Sequence, residues 1–450
     1  MRPRGLLLVA SLVIAMGQAS IAAERHVVVI SIDGLPSYYF NDPHASLPVI
    51  RGLAKSGVAA VEGMHVSNPS VTWPNHTTLM TGVHPEKHGV LFNGGLERNA
   101  EAMTVRVNPD KTQEELVRVP LLFDVLKQAG LTSAAINWPC TSGSKSIDDN
   151  FPDAPNDVQH SSPRLIEELT KSGVLRHFTG GGSVVRDEVW TEAACHVIRQ
   201  RMPRLLTLHL LNLDSTHHRY GPKSGPGYTA ASLADAMVGR VVKAIDEAGV
   251  RDRTTIFVLA DHGFAAIHKA IQPNVTLRRE GLITVENGKI RSARAMVIPE
   301  GGTGLVYLTN PETESQDAQT VRRLFQDVEG IAAILGPEDF PRYRMPTPAS
   351  NKNMANLVLV AKDGYTIGGS HAGDALIVPN KSGTTGSHGF VSTESKMNAI
   401  FVASGAGIKS GAKLESLDNS DVAPTTARLL GVPLSQATGR VVTEILSEGE

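Results

Sequence analysis

The chain has 450 residues, 43 basic and 45 acidic side chains, and a formal net charge of −2. That balance excludes a general nucleic-acid-coating role, and the length allows one large core or two lobes. The two cysteines, Cys140 and Cys195, lie in no C-x-x-C pair, so any bound metal is held by nitrogen and oxygen. An oxidising compartment would let them pair, but spacing alone leaves pairing open.

Arg2 and Arg4 precede an apolar run over 5–17, and Ser20-Ile21-Ala22 offers a small-x-small cleavage pattern. Residues 1–23 therefore read as a secretory signal peptide, with an uncleaved anchor as the alternative. No cysteine follows the run, which excludes a lipoprotein anchor, and no later stretch is apolar enough to span a bilayer. The expected mature protein is soluble, without a stable membrane anchor, and periplasmic or secreted.

His26–Ile32 is a nearly continuous apolar run, as expected of a strand covered on both faces. Similar runs lie at 205–211, 254–260 and 398–403. Helical periodicity appears over 48–55, 121–128, 188–201 and 230–248. Strands alternating with helices predict an α/β fold with a mostly parallel sheet flanked by helices. Residues 265–385 hold shorter runs broken by Gly and Pro and are expected to form an inserted smaller lobe. The α/β domain then comprises 24–264 and 386–450, closing with a helix over 421–430 that ends near Gly431.

Asp33 in VVVISIDG, Asp214 in LLNLDSTHHRYGP and Asp261 in FVLADHG each come at or just past the C-terminal end of a predicted strand. That edge is where open α/β sheets bind ligands. Singly, each carboxylate reads as a helix cap. With His218, His262 and His388 beside them they supply two three-ligand metal sites. Asp214 and His218 are four apart and share a face on a helical turn. Three imidazoles and three carboxylates suit zinc best, with manganese or iron possible. His217 reads as a solvent-facing neighbour of His218. Thr72, in NPSVTWPNHTTLMTG, falls at a predicted helix start, where backbone N–H groups favour an anion. Alone, its hydroxyl reads as an N-cap; with the two metal sites it becomes a nucleophile candidate for metal-assisted attack on phosphorus.

VVVISIDG, T-x-P-N-x-x-T-L-x-T-G with H-P-E-x-H-G, D-x-x-x-H-x-x-G-P, DHG and GSHGF occur here in one order. As an ordered set they resemble the type I phosphodiesterase/nucleotide pyrophosphatase family of the alkaline phosphatase superfamily. The resemblance implies an alkaline-phosphatase-like fold and Thr72 as nucleophile. It implies one zinc held by Asp33, Asp261, His262 and the Thr72 oxygen, and another by Asp214, His218 and His388. It also implies that Asn93 donates to a non-bridging phosphoryl oxygen, although Asn93 in FNGG otherwise reads as a turn residue. The implied reaction hydrolyses a small phosphodiester or nucleotide substrate through a phosphothreonine, with net retention at phosphorus.

Trp73 stands where the family often has phenylalanine, position 217 is His where many members have glycine, and Cys140 replaces the glycine of the family's W-P-G loop. Trp73, Phe92 and Trp138 are candidates for an apolar wall beside the substrate, or else core aromatics. Threonine-type alkaline phosphatases carry a Lys-x-Arg pair in the 136–144 region; its absence here favours a diester over a dianionic monoester. Thr72-Trp73-Pro74-Asn75-His76 lacks the Cys or Ser and the Arg that sulfatases need. A phosphomonoesterase or a phosphonoacetate hydrolase on the same site, and a non-catalytic exported ligand-binding protein, are the alternative readings. Cofactor-independent phosphoglycerate mutases share parts of the metal set and rank lower.

Overall fold

The structure, a computed structural model, describes residues 24–449 except 154–157, 180 and 381–384. The expected signal peptide, residues 1–23, lies outside the described residues. Among the described residues no helix is long and apolar enough to cross a membrane.

The central sheet has seven strands in the order Val58–Ala59, Phe401–Gly405, Thr254–Leu259, His26–Ile32, Leu205–Leu210, Ser133–Ile136, Asp149–Phe151. The last five are mutually parallel, and the first two join by antiparallel pairings. Every residue of His26–Ile32 is buried, because its β-branched side chains have helices to pack against on both faces. Pro48–Ser56, Ser183–Arg201 and Gly225–Glu247 pack together in one group; Thr72–Thr81, Leu122–Gln128 and Val422–Leu430 form another. The fold is therefore α/β with a large, mostly parallel sheet flanked by helices.

One predicted strand is displaced. The run over 398–403 pairs in the sheet only from Phe401, because the residues before it are bonded elsewhere. The Ala399 amide donates to Met64 O at 2.9 Å and the Ile400 amide to Leu35 O at 3.2 Å.

Beyond Phe264 the chain leaves the central sheet. Ala265–Ile271 pairs with Gly364–Ile367, Ile377–Pro379 and Thr385–Ser387. Ala295–Pro299, Thr303–Leu308, Leu357–Ala361 and Ile331–Leu335 form a second, antiparallel sheet, against which Glu314–Phe325 packs. The antiparallel pairing of Ala265 with Ser387 brings the chain back beside its point of departure. Cys140 and Cys195 are both buried and unpaired.

Candidate active site

Three strand ends and one returning strand deliver the candidate ligands. Asp33 directly follows His26–Ile32, and its amide is held by Leu210 O at 2.9 Å. The chain turns sharply at Gly34, which has φ +65° and no room for a Cβ, since the Phe264 ring would lie 2.9 Å away. This conformation is open to glycine at little cost. The Gly34 amide donates to Asp261 Oδ1 at 3.2 Å, tying together the loops after two neighbouring strands. Asp214 and His218 sit on the helix Asn212–Tyr220, one turn apart. His388 follows Thr385–Ser387, and Gly389 beside it has φ +77°, with Glu300 O 1.5 Å from where a Cβ would stand.

These six residues assemble into two groups, Asp33–Asp261–His262 and Asp214–His218–His388. In each, one potential ligand atom per residue lies within 4.8 Å of the others. Each histidine is oriented by a backbone carbonyl that accepts from Nδ1–H. The carbonyl is Gly386 O for His218 at 3.2 Å, Ser70 O for His388 at 3.0 Å and Gly263 O for His262 at 3.1 Å. Such bonds fix the tautomer and leave Nε2 for ligation. The Nε2 atoms turn toward the carboxylates: His262 lies 3.3 Å from Asp33 Oδ1 and 3.2 Å from Asp261 Oδ2. His218 and His388 lie 3.4 Å and 3.6 Å from Asp214 Oδ1.

Asp33 Oδ1, Asp214 Oδ1, Asp261 Oδ2 and His262 Nε2 are buried with no hydrogen-bond partner. Buried polar atoms are otherwise almost always partnered. Four such atoms converging in two groups fit a bound cation. The electrostatics agree. Burial, then the neighbouring Asp261 and Asp214, pushes Asp33 well above the usual carboxylate range. Burial raises Asp261 to about 7, and burial lowers His262 to about 4. Burial would also raise Asp214, but the His218, His388 and His262 rings hold it below its ordinary value. Crowded carboxylates facing imidazoles make a pocket that favours positive charge.

Thr72 is the first residue of the helix Thr72–Thr81 and is 8% exposed. Val71 occupies the cap position and makes no side-chain capping bond, so the Thr72 hydroxyl is not an N-cap. The backbone around Thr72 touches one ligand group directly and reaches the other through His76. Ser70 O accepts from His388, as above, and Thr72 O accepts from His76 Nδ1–H at 2.9 Å. The same His76 nitrogen lies 3.6 Å from Asp261 Oδ2. Asn93 is oriented by its neighbour: the Trp73 amide donates to Asn93 Oδ1 at 2.9 Å. The oxygen is thereby committed, and the Nδ2 donors are turned away from that amide.

The three aromatic candidates separate. Phe92 and Trp138 belong to the main core. Trp73 lies in a small satellite cluster with Val90, Leu116 and Cys140, and its Nε1–H donates to Asp153 Oδ2 at 2.8 Å. Cys140 adopts φ +56°, the left-handed conformation that suits the family's glycine at this place.

His217 corrects an expectation. It is buried, not solvent-facing, while the His218 side chain is 44% exposed. The reason is Tyr39, whose hydroxyl lies 2.9 Å from His217 Nε2 while His217 Nδ1–H donates to Gly34 O at 3.2 Å. Two polar residues behind the ligands were not singled out from the sequence, His76 and His209. Their only sequence signal is polarity in buried elements: His209 interrupts the apolar strand LLTLHL, whose six residues are all buried.

The chain matches the family described as type I phosphodiesterase / nucleotide pyrophosphatase over residues 27–391. It is 27% identical over 236 residues to human ectonucleotide pyrophosphatase/phosphodiesterase family member 1, covering 52% of this chain and 23% of that protein. It is 23% identical over 427 residues to family member 7 of Mus musculus, covering 92% of this chain and 85% of that protein. Murine ectonucleotide pyrophosphatase / phosphodiesterase 5 has a similar solved structure, with TM-score 0.70 and 19% identity over 94% of this chain and 100% of that one.

Proposed function

The chain belongs to the type I phosphodiesterase / nucleotide pyrophosphatase family, and on that premise we propose that it is an exported two-zinc hydrolase. Its substrates are small phosphodiesters or nucleotides, and its intermediate is a phosphothreonine at Thr72. The single observation that carries this reading is the convergence of unpartnered ligand atoms from two Asp/His groups beside the Thr72 helix start. Asp33, Asp261, His262 and the Thr72 oxygen would hold one ion, and Asp214, His218 and His388 the other. Two bound zinc ions would supply positive charge that favours the ionised Thr72 hydroxyl and the charge developing on the phosphoryl group and leaving oxygen.

This chain's own residues do the rest. Thr72 Oγ1 forms a bond to phosphorus as the bond to the leaving alcohol breaks. Water then forms the new P–O bond, and the bond to Thr72 breaks, regenerating the hydroxyl. The two in-line displacements give net retention. Asn93, with its oxygen committed to the Trp73 amide, offers Nδ2–H to a non-bridging oxygen whose charge grows in the transition state. The indole of Trp73, held at its N–H by Asp153, lies next in the chain to Thr72 and forms an apolar wall beside the substrate, while Phe92 and Trp138 belong to the main core. Diester selectivity rests on the missing Lys-x-Arg pair. Export rests on the basic and apolar start of the chain.

The test is hydrolysis of bis-p-nitrophenyl phosphate against p-nitrophenyl phosphate, after chelation and with zinc restored. A zinc-dependent preference for the diester supports the proposal. A preference for the monoester overturns the substrate class, and no metal-dependent turnover overturns the enzyme.

A further inference from the structure

His209 is out of place as a packing residue. It lies on Leu205–Leu210, where Leu205, Leu206, Leu208 and Leu210 are apolar and the whole strand is buried. A buried polar ring costs stability unless it is hydrogen-bonded, and an apolar side chain would fill the same space without that requirement. The ring's contacts explain it. Nε2 lies 3.0 Å from Asp33 Oδ2. On the other side Nδ1 faces Asn137, with the backbone oxygen 3.0 Å away and the side-chain Nδ2 at 3.2 Å; Nδ2–H donates to Nδ1 in the tautomer that carries its proton on Nε2. Asn137 also donates to His209 O at 3.1 Å, and its left-handed φ of +55° turns the chain toward the ring.

The carboxylate beyond this ring is divided in its duties. Asp33 Oδ2 is taken by His209, while Asp33 Oδ1 is buried, unpartnered and faces His262. The parallel register sets Ser31 beside His209, and Ser31 Oγ lies 2.9 Å from His76 Nε2. A polar layer under the site thus runs from Asn137 through His209 to Asp33.

We infer that His209 is a positioning residue for Asp33: its Nε2–H holds Oδ2, so that Oδ1 is presented to the metal. The inference rests on the reading of Asp33 as a ligand in the proposed function. An Asp33 carboxylate free to rotate would offer either oxygen and would lose affinity through the entropy of fixing it, whereas partners of this kind are worth 10- to 100-fold in metal affinity, roughly, where they orient a ligand.

The experiment measures zinc stoichiometry and affinity on the full chain by competition with a chromophoric chelator, for wild type, His209→Leu, His209→Asn and His209→Gln. A glutamine amide reaches the place of the imidazole Nε2; an asparagine amide reaches only that of Nδ1. The expected result is that Leu and Asn weaken one zinc equivalent about 10- to 100-fold and spare the other, while Gln stays within about threefold of wild type. If all three variants hold both equivalents like wild type, the inference is overturned. If Gln weakens binding as much as Leu and Asn, the ring acts by its shape, and the inference is again overturned. Should the leucine variant not fold, the Asn–Gln pair decides, equal affinities counting against the inference. A wild-type chain that binds no zinc overturns the functional reading itself, which separates that failure from this one.

Discussion

His262 and His388 stack face to face, with ring centroids 3.8 Å apart and planes inclined by 14°. Each belongs to a different three-residue group, so this stack is where the two candidate metal sites meet. It exists because Ala265–Ile271 and Thr385–Ser387 pair antiparallel, setting the residues before one strand beside those after the other. Family membership, the fold and this junction lead to four predictions.

A bound cation would relieve the crowding of Asp33, Asp261 and Asp214. With chelator present, Asp261→Asn is expected to be more stable than wild type by about 1 kcal/mol, because one of several crowded carboxylates is neutralised. Adding zinc at about 100 times Kd stabilises wild type by about 2.7 kcal/mol per site, and the variant by less. Thermal melts with and without zinc check both halves. A variant that gains as much from zinc as wild type would exclude Asp261 from the ligands.

Thr72 caps nothing, so its removal is expected to cost function and little stability. Thr72→Ala should lose at least about 10³-fold in turnover of bis-p-nitrophenyl phosphate, the scale seen when a nucleophile is deleted. Its melting temperature should stay within a few degrees of wild type, in keeping with the small effect of changes away from packed or bonded groups. Acid-quenched mass spectrometry should find a phosphoryl adduct on wild type and none on the variant.

Asn93 gives a sharper test, because its oxygen is already bonded to the Trp73 amide. Asn93→Asp keeps that acceptor and replaces the outward donor by an anionic oxygen. It is expected to lose about 10²- to 10³-fold in kcat, the range for removing one donor to a developing oxyanion, with its stability retained. A variant as active as wild type would return Asn93 to an ordinary turn residue.

His88 predicts a pH dependence of stability. It is fully buried, its Nδ1 accepts from the Val90 amide at 3.1 Å and its Nε2 lies 3.1 Å from Thr78 Oγ1. Burial, together with the nearby His84, lowers its pKa to about 3, and protonating Nδ1 would cost the Val90 bond. Between that value and the ordinary 6.5 the unfolded chain binds the extra proton, so stability falls as pH drops from about 6.5. His88→Gln should shrink the loss between pH 7 and pH 5 by about 1–2 kcal/mol, read from urea unfolding at the two pH values. An unchanged loss would mean that His88 titrates normally in the fold.

Much of this architecture was legible in the chain. The strand His26–Ile32 and the helix boundaries near 48, 122 and 430 follow from unbroken apolar runs and 3.6-residue periodicity, which are local properties. The fault at 398–400 was not legible, because an apolar run does not say which edge its amides will bond. The ordered motifs carried the family, and Asp33, Asp214 and Asp261 stood out because they come at or just past strand ends. For His217 and His218 the reading failed in one respect: adjacent residues point to different environments, and only the position of Tyr39 and Gly34 decides which ring is buried.

By itself, the sequence determined the α/β class, the family and the residue types able to bind metal, since periodicity, motif order and ligand chemistry are all written along the chain. Tertiary structure alone decided which nitrogen of each histidine faces inward, which oxygen of Asp33 is already taken, and that the Asn93 oxygen is bonded to the Trp73 amide. It alone sets His209 behind Asp33 and leaves the two cysteines unpaired. These are matters of direction and distance between segments far apart in sequence, and they are fixed only when the packed sheet brings its strand ends to one edge.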